Sequence, residues 1–149
     1  MPDSNHFTIR TLLSAPKHSL IYLVSDSSSD YAVKIPRHTS SSVLEAYTDE
    51  FLTLKELSHP VLPVYYYFFP EISLSPSMEP APALFMEYID GISLSSVDFL
   101  MPRTLKQYML ELGDALLTLL LHGVLYTDLH PANLLIQNGS LRLVDFTCA

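Results

Sequence analysis

Short apolar runs separated by polar punctuation mark most of this chain. Runs near 7–13, 20–25 and 30–36 predict strands, the last two joined by the polar turn Ser25-Asp26-Ser27-Ser28-Ser29-Asp30. A helix is predicted near 42–58, after Ser40-Ser41-Ser42, whose hydroxyls suit helix caps. Strands near 63–69 and 83–88 follow. Between them, Pro70 to Pro82 carries four prolines and several serines, which predicts a loop. A short helix near 94–100 and a long one near 103–122 come next, then short strands near 124–126, 134–137 and 141–144. The runs Leu134-Leu135-Ile136 and Leu141-Arg142-Leu143-Val144 flank Gln137-Asn138-Gly139-Ser140, a hairpin with Asn-Gly as its turn. Tyr65-Tyr66-Tyr67-Phe68-Phe69 reads as a half-buried strand rather than a stacking platform for bases.

The long helix is apolar nearly all round. Leu105, Tyr108, Met109, Leu112, Ala115, Leu116 and Leu119 form one stripe at helical spacing. Leu110, Leu117, Leu120 and Leu121 occupy the other sides. Such a helix wants cover on every side, so 105–121 is expected to self-associate or to bind a partner chain.

A chain of 149 residues, 48% of them apolar, can bury a sizeable core as one domain. The net charge of −8 argues against nucleic acid or an anionic membrane as a partner. The longest apolar stretch, Ala115 to Leu121, is too short to span a bilayer, and Met1-Pro2-Asp3-Ser4 does not open a secretory signal. One cysteine, Cys148, excludes an internal disulfide and reads as an incidental thiol. The location expected from these features is cytoplasmic.

The chemistry concentrates in Tyr126-Thr127-Asp128-Leu129-His130-Pro131-Ala132-Asn133 and Leu143-Val144-Asp145-Phe146. Asp128 can orient a hydroxyl nucleophile or accept its proton. Asn133 and Asp145 offer hard oxygen ligands of the kind Mg²⁺ prefers. Lys34 lies in an apolar strand between Val33 and Ile35, so its ammonium is expected to be buried and to need a partner. His122 and His130 lack zinc-like company at suitable spacing. His59-Pro60 reads as a helix stop with a satisfied core histidine.

These strings resemble the catalytic and metal-binding loops of the protein-kinase-like fold, His-Arg-Asp-Leu-x-x-x-Asn followed by Asp-Phe-Gly. The resemblance continues upstream in the right order. Tyr31-Ala32-Val33-Lys34-Ile35 looks like the strand of the nucleotide lysine. Glu50 to Pro60 looks like the end of the following helix, and Leu84-Phe85-Met86-Glu87-Tyr88-Ile89-Asp90-Gly91 like the strand and hinge that hold adenine. The resemblance implies an α+β fold with an antiparallel β N-lobe at about 1–88, a hinge at about 89–93 and a partial helical C-lobe at about 94–149. It implies ATP in the cleft between lobes, with Mg²⁺. Lys34 would hold phosphates, and Glu50 would pair with Lys34. Glu45 and Asp49 on the same helix are the other candidates for that pairing. Met86 would sit behind the base, while Glu87 and Ile89 would offer it backbone groups. Asp128 would be catalytic, and Asn133 and Asp145 would bind the metal.

The chain departs from the family pattern in several places. Ser14-Ala15-Pro16-Lys17-His18-Ser19 stands where a glycine-rich loop belongs, and no glycine precedes Gly91. The stretch is either an ordinary hairpin turn or one whose Lys17 and His18 reach phosphate through side chains. Thr127 replaces the arginine that pairs with a phosphorylated activation segment, and Thr147 replaces the last glycine. Asp-Leu-His-Pro-Ala-Asn is also similar to the aminoglycoside and choline kinase-like group. The sequence stops at Cys148-Ala149 with no counterpart of the later C-lobe, which suggests a minimal kinase, a truncated product or one piece of an assembly. The leading expectation is an ATP- and Mg²⁺-dependent phosphotransferase acting on a protein Ser/Thr hydroxyl. A small-molecule kinase and a catalytically weak pseudokinase or scaffold stand beside it.

Overall fold

The computed structural model describes residues 6–127 and 129–144. The chain divides into two compact units, residues 1–56 with 64–88, and residues 57–63 with 89–149. The first holds an antiparallel sheet of β1 (Thr8–Ser14), β2 (Ser19–Ser25), β3 (Asp30–Pro36), β4 (Tyr65–Ile72) and β5 (Ala81–Glu87), in the order β1-β2-β3-β5-β4. The second holds the helix α2 (Pro102–Leu121) and a smaller sheet of β6 (Ile92–Ser93), β7 (Leu134–Gln137) and β8 (Ser140–Leu143). This is the α+β architecture expected.

In the first unit, strand alternation sorts β3 into two faces. Tyr31, Val33 and Ile35 join Phe7, Val24 and Phe85 in one apolar cluster. Phe85 is its centre, with ring centroids of Phe7 and Phe69 at 4.8 and 5.2 Å. Ala32 and Lys34 take the opposite face. The turn before β3 is held by the Asp26 carboxylate, which accepts from the Ser28 and Ser29 amides at 2.8 and 2.7 Å.

Helix α1 (Ser41–Leu54) starts where the serines predicted, with the Ser40 hydroxyl accepting from the Val43 amide at 3.2 Å. It ends four residues before the expected 58. Pro60 disfavours helical backbone at His59, and His59 is used elsewhere. Its Nδ1 accepts from the Val61 amide at 3.1 Å, which puts the ring proton on Nε2, 2.7 Å from Asp114 of α2. The Leu143 amide donates to Val61 and Arg142 Nη2 to Leu62, at 2.9 and 3.3 Å. These bonds explain why Leu57–Pro63, read from sequence as part of the first lobe, groups with the second unit.

Three further expectations are corrected. The proline-rich loop is shorter than Pro70 to Pro82, because β4 continues to Ile72 and β5 begins at Ala81. Pro70 is tolerated because β4 is an edge strand whose register shifts between Phe69 and Ile72. The short helix near 94–100 is only a 3-10 turn over Leu94–Ser96, and the stretch near 124–126 makes a single bridge at Tyr126. The edge strand β6 was not foreseen. It requires Gly91, where a Cβ would come within 2.8 Å of the Ile136 carbonyl oxygen. The β7–β8 turn is the Asn-Gly hairpin anticipated, with φ of 52° at Asn138 and 78° at Gly139.

Helix α2 carries this hairpin on one line of its surface. The Glu111 carboxylate accepts from the Leu141 amide at 3.0 Å, and Gln107 donates to the Gly139 carbonyl at 3.3 Å. The buried line is Tyr108, Ala115 and Leu119. Leu105 and Met109, assigned from sequence to the same stripe, are exposed, because the short hairpin does not reach that side. Among the described residues no helix is long and apolar enough to cross a membrane.

Candidate active site

In the first unit, β3 delivers Lys34 to α1. Lys34 is 8% exposed, and its Nζ lies 3.0 Å from Glu50 Oε1. The other carboxylate oxygen of Glu50 accepts from the Tyr65 hydroxyl at 3.2 Å. Tyr47, one helical turn before Glu50, places its ring centroid 5.3 Å from the ammonium. Its own hydroxyl bonds Ser19 at 2.9 Å. Burial pushes the Tyr47 phenol up to about 12, with the nearby Glu50 charge adding to the rise, so the ring stays neutral at physiological pH. Glu50 is buried, while Glu45 and Asp49 face solvent. The α1 register therefore brings Glu50, of the three acids considered, to Lys34.

Strand β5 carries the next two residues singled out. Met86 is buried opposite Ala32 and Tyr65. The Glu87 amide donates to the Val64 carbonyl at 2.7 Å, and its Oε1 accepts from the Val64 amide at 3.2 Å. Ile89 is buried in the second unit.

There a 3-10 turn, Pro131–Asn133, sets Asn133 at the head of β7. Pro131 opens this turn, and the His130 side chain caps it by accepting from the Ala132 amide at 3.3 Å. Asn133 is 4% exposed, so its side chain is a polar group held inside the fold. The Asn133 backbone carbonyl accepts from the Val144 amide at 2.9 Å, and the Val144 carbonyl accepts from the Tyr126 hydroxyl at 3.1 Å. The backbone just before Asp145 is thus pinned from both sides. Asp128 and Asp145 lie outside the described residues.

The β1–β2 turn has a fastening that no local motif announces. Arg37, just past β3, donates from Nε to the Pro16 carbonyl at 2.9 Å and from Nη2 to the Ala15 carbonyl at 3.0 Å. Its amide bonds the His18 carbonyl at 3.1 Å.

The sequence profile of the protein kinase domain matches residues 17–149. The chain belongs to the protein kinase family. Over 48 residues it is 44% identical to the dual specificity protein kinase Ttk of Danio rerio, covering 32% of this chain and 5% of that protein. Over 75 residues it is 31% identical to the serine/threonine-protein kinase PknB of Mycolicibacterium smegmatis, covering 47% of this chain and 12% of that protein. The matched stretches are small fractions of both relatives.

In this kinase domain, sequence reasoning singled out Lys34 and Glu50 and missed the neutral groups around them. Tyr65 read as part of a half-buried strand, and Tyr47 was not singled out. Tyr47 had one usable signal, its position three residues before Glu50 on the same helix face. Tyr65 and Tyr126 had none.

Proposed function

We propose that the chain is the nucleotide-binding and catalytic part of a protein kinase that uses ATP and Mg²⁺ to phosphorylate Ser/Thr hydroxyls. The observation that carries this reading is the buried Lys34–Glu50 pair at 3.0 Å. A buried ammonium held by a carboxylate, with a neutral ring beside it, suits a group that must hold a phosphate oxygen.

The donor set fits the metal. Asn133 is a buried amide, and amide and carboxylate oxygens suit Mg²⁺. Asn133 and Asp145 would hold the ion, which when bound spreads and neutralises phosphate charge. Lys34 would bind the α/β-phosphates, and Glu50 would keep its ammonium in place. Met86, Glu87 and Ile89 would line the base. Asp128 would orient the acceptor hydroxyl and take its proton, so catalysis would rest mainly on positioning and charge stabilisation. A protein acceptor is favoured because both relatives are named as protein kinases. The cluster Asp128-Leu129-His130-Pro131-Ala132-Asn133 keeps a small hydroxyl acceptor as the second reading.

The test is a titration of ATP into the chain with and without Mg²⁺, followed by transfer from labelled ATP to a protein mixture and to amino-sugar and amino-alcohol acceptors. Mg²⁺-dependent binding with label on protein is expected. Binding without transfer to either acceptor class would favour a scaffold role, and absence of ATP binding would defeat the reading.

The exposed side of α2 extends the proposal. Leu110, Leu117 and Leu121 are 65%, 53% and 76% exposed. Apolar surface of this kind drives association. The isolated chain is expected to self-associate through this helix, and Leu117→Glu with Leu121→Glu should release a monomer in sedimentation velocity. A wild-type chain that stays monomeric at high concentration would refute this.

A further inference from the structure

The first unit has a pocket of about 390 Å³ on its sheet, at the end of β5 that carries Glu87. Tyr31, Tyr66, Tyr67 and Tyr88 line it together with Asp30 and Glu87. Its lining residues are four tyrosines, two acids and Ser29, with no lysine or arginine among them. Arg10 lies nearby but is not among the lining residues, and its Nε donates to the Ser25 hydroxyl at 3.3 Å.

The aromatic part is well fixed. Tyr31 belongs to the apolar cluster, and its hydroxyl donates to Asp26 Oδ2 at 3.3 Å. The Tyr66 ring stands at 79° to it with centroids 5.7 Å apart, and the Tyr67 ring at 61° and 6.0 Å. Rings meeting at steep angles make a concave wall instead of a flat stack. Tyr66 is 44% exposed and forms the outer lip.

Asp30 accepts from the Ser25 hydroxyl, and Glu87 from the Val64 amide. Asp30 takes part in no ion pair among the described residues. A cation over tyrosine faces gains from the ring quadrupole. A planar guanidinium also stacks on a ring and presents a fork of donors to a carboxylate, which a round ammonium does not. The open lip suits a side chain entering from a partner's surface, and the net charge of −8 draws basic partners.

We propose that this pocket binds the guanidinium of an arginine side chain presented by a partner protein. The proposal is independent of phosphate transfer. The test titrates the full chain, labelled with ¹³C in its tyrosine rings, with the Nα-acetyl amides of arginine, lysine and citrulline, and with an arginine-centred heptapeptide. Saturable shifts of the Tyr66 and Tyr67 rings are expected with arginine, at least about fivefold weaker with citrulline or lysine, and stronger with the peptide. Asp30→Asn and Tyr66→Ala should each weaken arginine binding by about fivefold or more, while Tyr66→Phe should retain it. Both positions are exposed, and an unchanged amide spectrum elsewhere will show that the variants fold. Shifts that do not saturate, or equal binding of citrulline, would overturn the site. Equal binding of lysine would overturn the guanidinium assignment, and a peptide no tighter than the amide would overturn the protein partner.

Discussion

Lys34→Ala is expected to lower folding stability by about 3–5 kcal/mol and ATP affinity by about tenfold or more. The stability loss follows from burial, because Glu50 would keep its charge in the core with the Tyr65 hydroxyl as its remaining partner among the described residues. The affinity loss follows from removing a charged donor to phosphate. The two effects separate in the double variant Lys34→Met with Glu50→Leu. Apolar residues of similar size should restore most of the stability, since a buried pair replaced as a pair costs little, but ATP binding should stay lost. Lys34→Arg should not restore full activity, because a planar fork does not replace a point charge beside the Tyr47 ring. Denaturant unfolding and ATP titration on the same samples provide the check. A double variant that binds ATP normally would show that Lys34 serves the fold alone.

Asp128→Ala should reduce phosphate transfer by about 10²–10⁴-fold while leaving ATP affinity within a few-fold of wild type. The asymmetry is the diagnostic part, because a group that faces the acceptor hydroxyl contributes to the transition state and little to nucleotide binding. Asp145→Ala should behave differently, losing transfer and also the Mg²⁺ dependence of ATP binding. Undiminished transfer by Asp128→Ala in a labelled-ATP assay would remove it from the catalytic role. The same Mg²⁺ dependence in Asp145→Ala would remove that residue from the metal site.

What the sequence made legible was local. The Asn138-Gly139 turn, the Ser40 cap and the capacity of β3 to bury Lys34 each depend on a few neighbouring residues. The kinase motifs were legible for the same reason, since each is a short string. What escaped depended on residues far apart in the chain. His59 and Asp114 are separated by 55 positions, and their bond helps carry Leu57–Pro63 into the second unit. The end of α1 moved with that segment. Pro70 suggested a loop because nothing local marks β4 as an edge strand, where a missing amide does no harm. At the candidate site, Lys34 stood out as a charge in an apolar strand, and Glu50 came from the kinase resemblance with Glu45 and Asp49 beside it. Tyr47 and Tyr65, which complete the surroundings of Lys34 and Glu50, were hidden among other aromatics.

The clasp by Arg37 bears on the timing of ligand exchange. A glycine-rich strap is soft, and ordering it around a ligand costs conformational entropy. Here two carbonyls of the β1–β2 turn are tied to one guanidinium, and Pro16 fixes its own backbone angle. A turn held this way has little freedom left to lose and little tendency to fold down over an arriving molecule. It would behave as a fixed ledge, so the residence time of a nucleotide would depend on how well the ledge fits it and not on how often a flap opens.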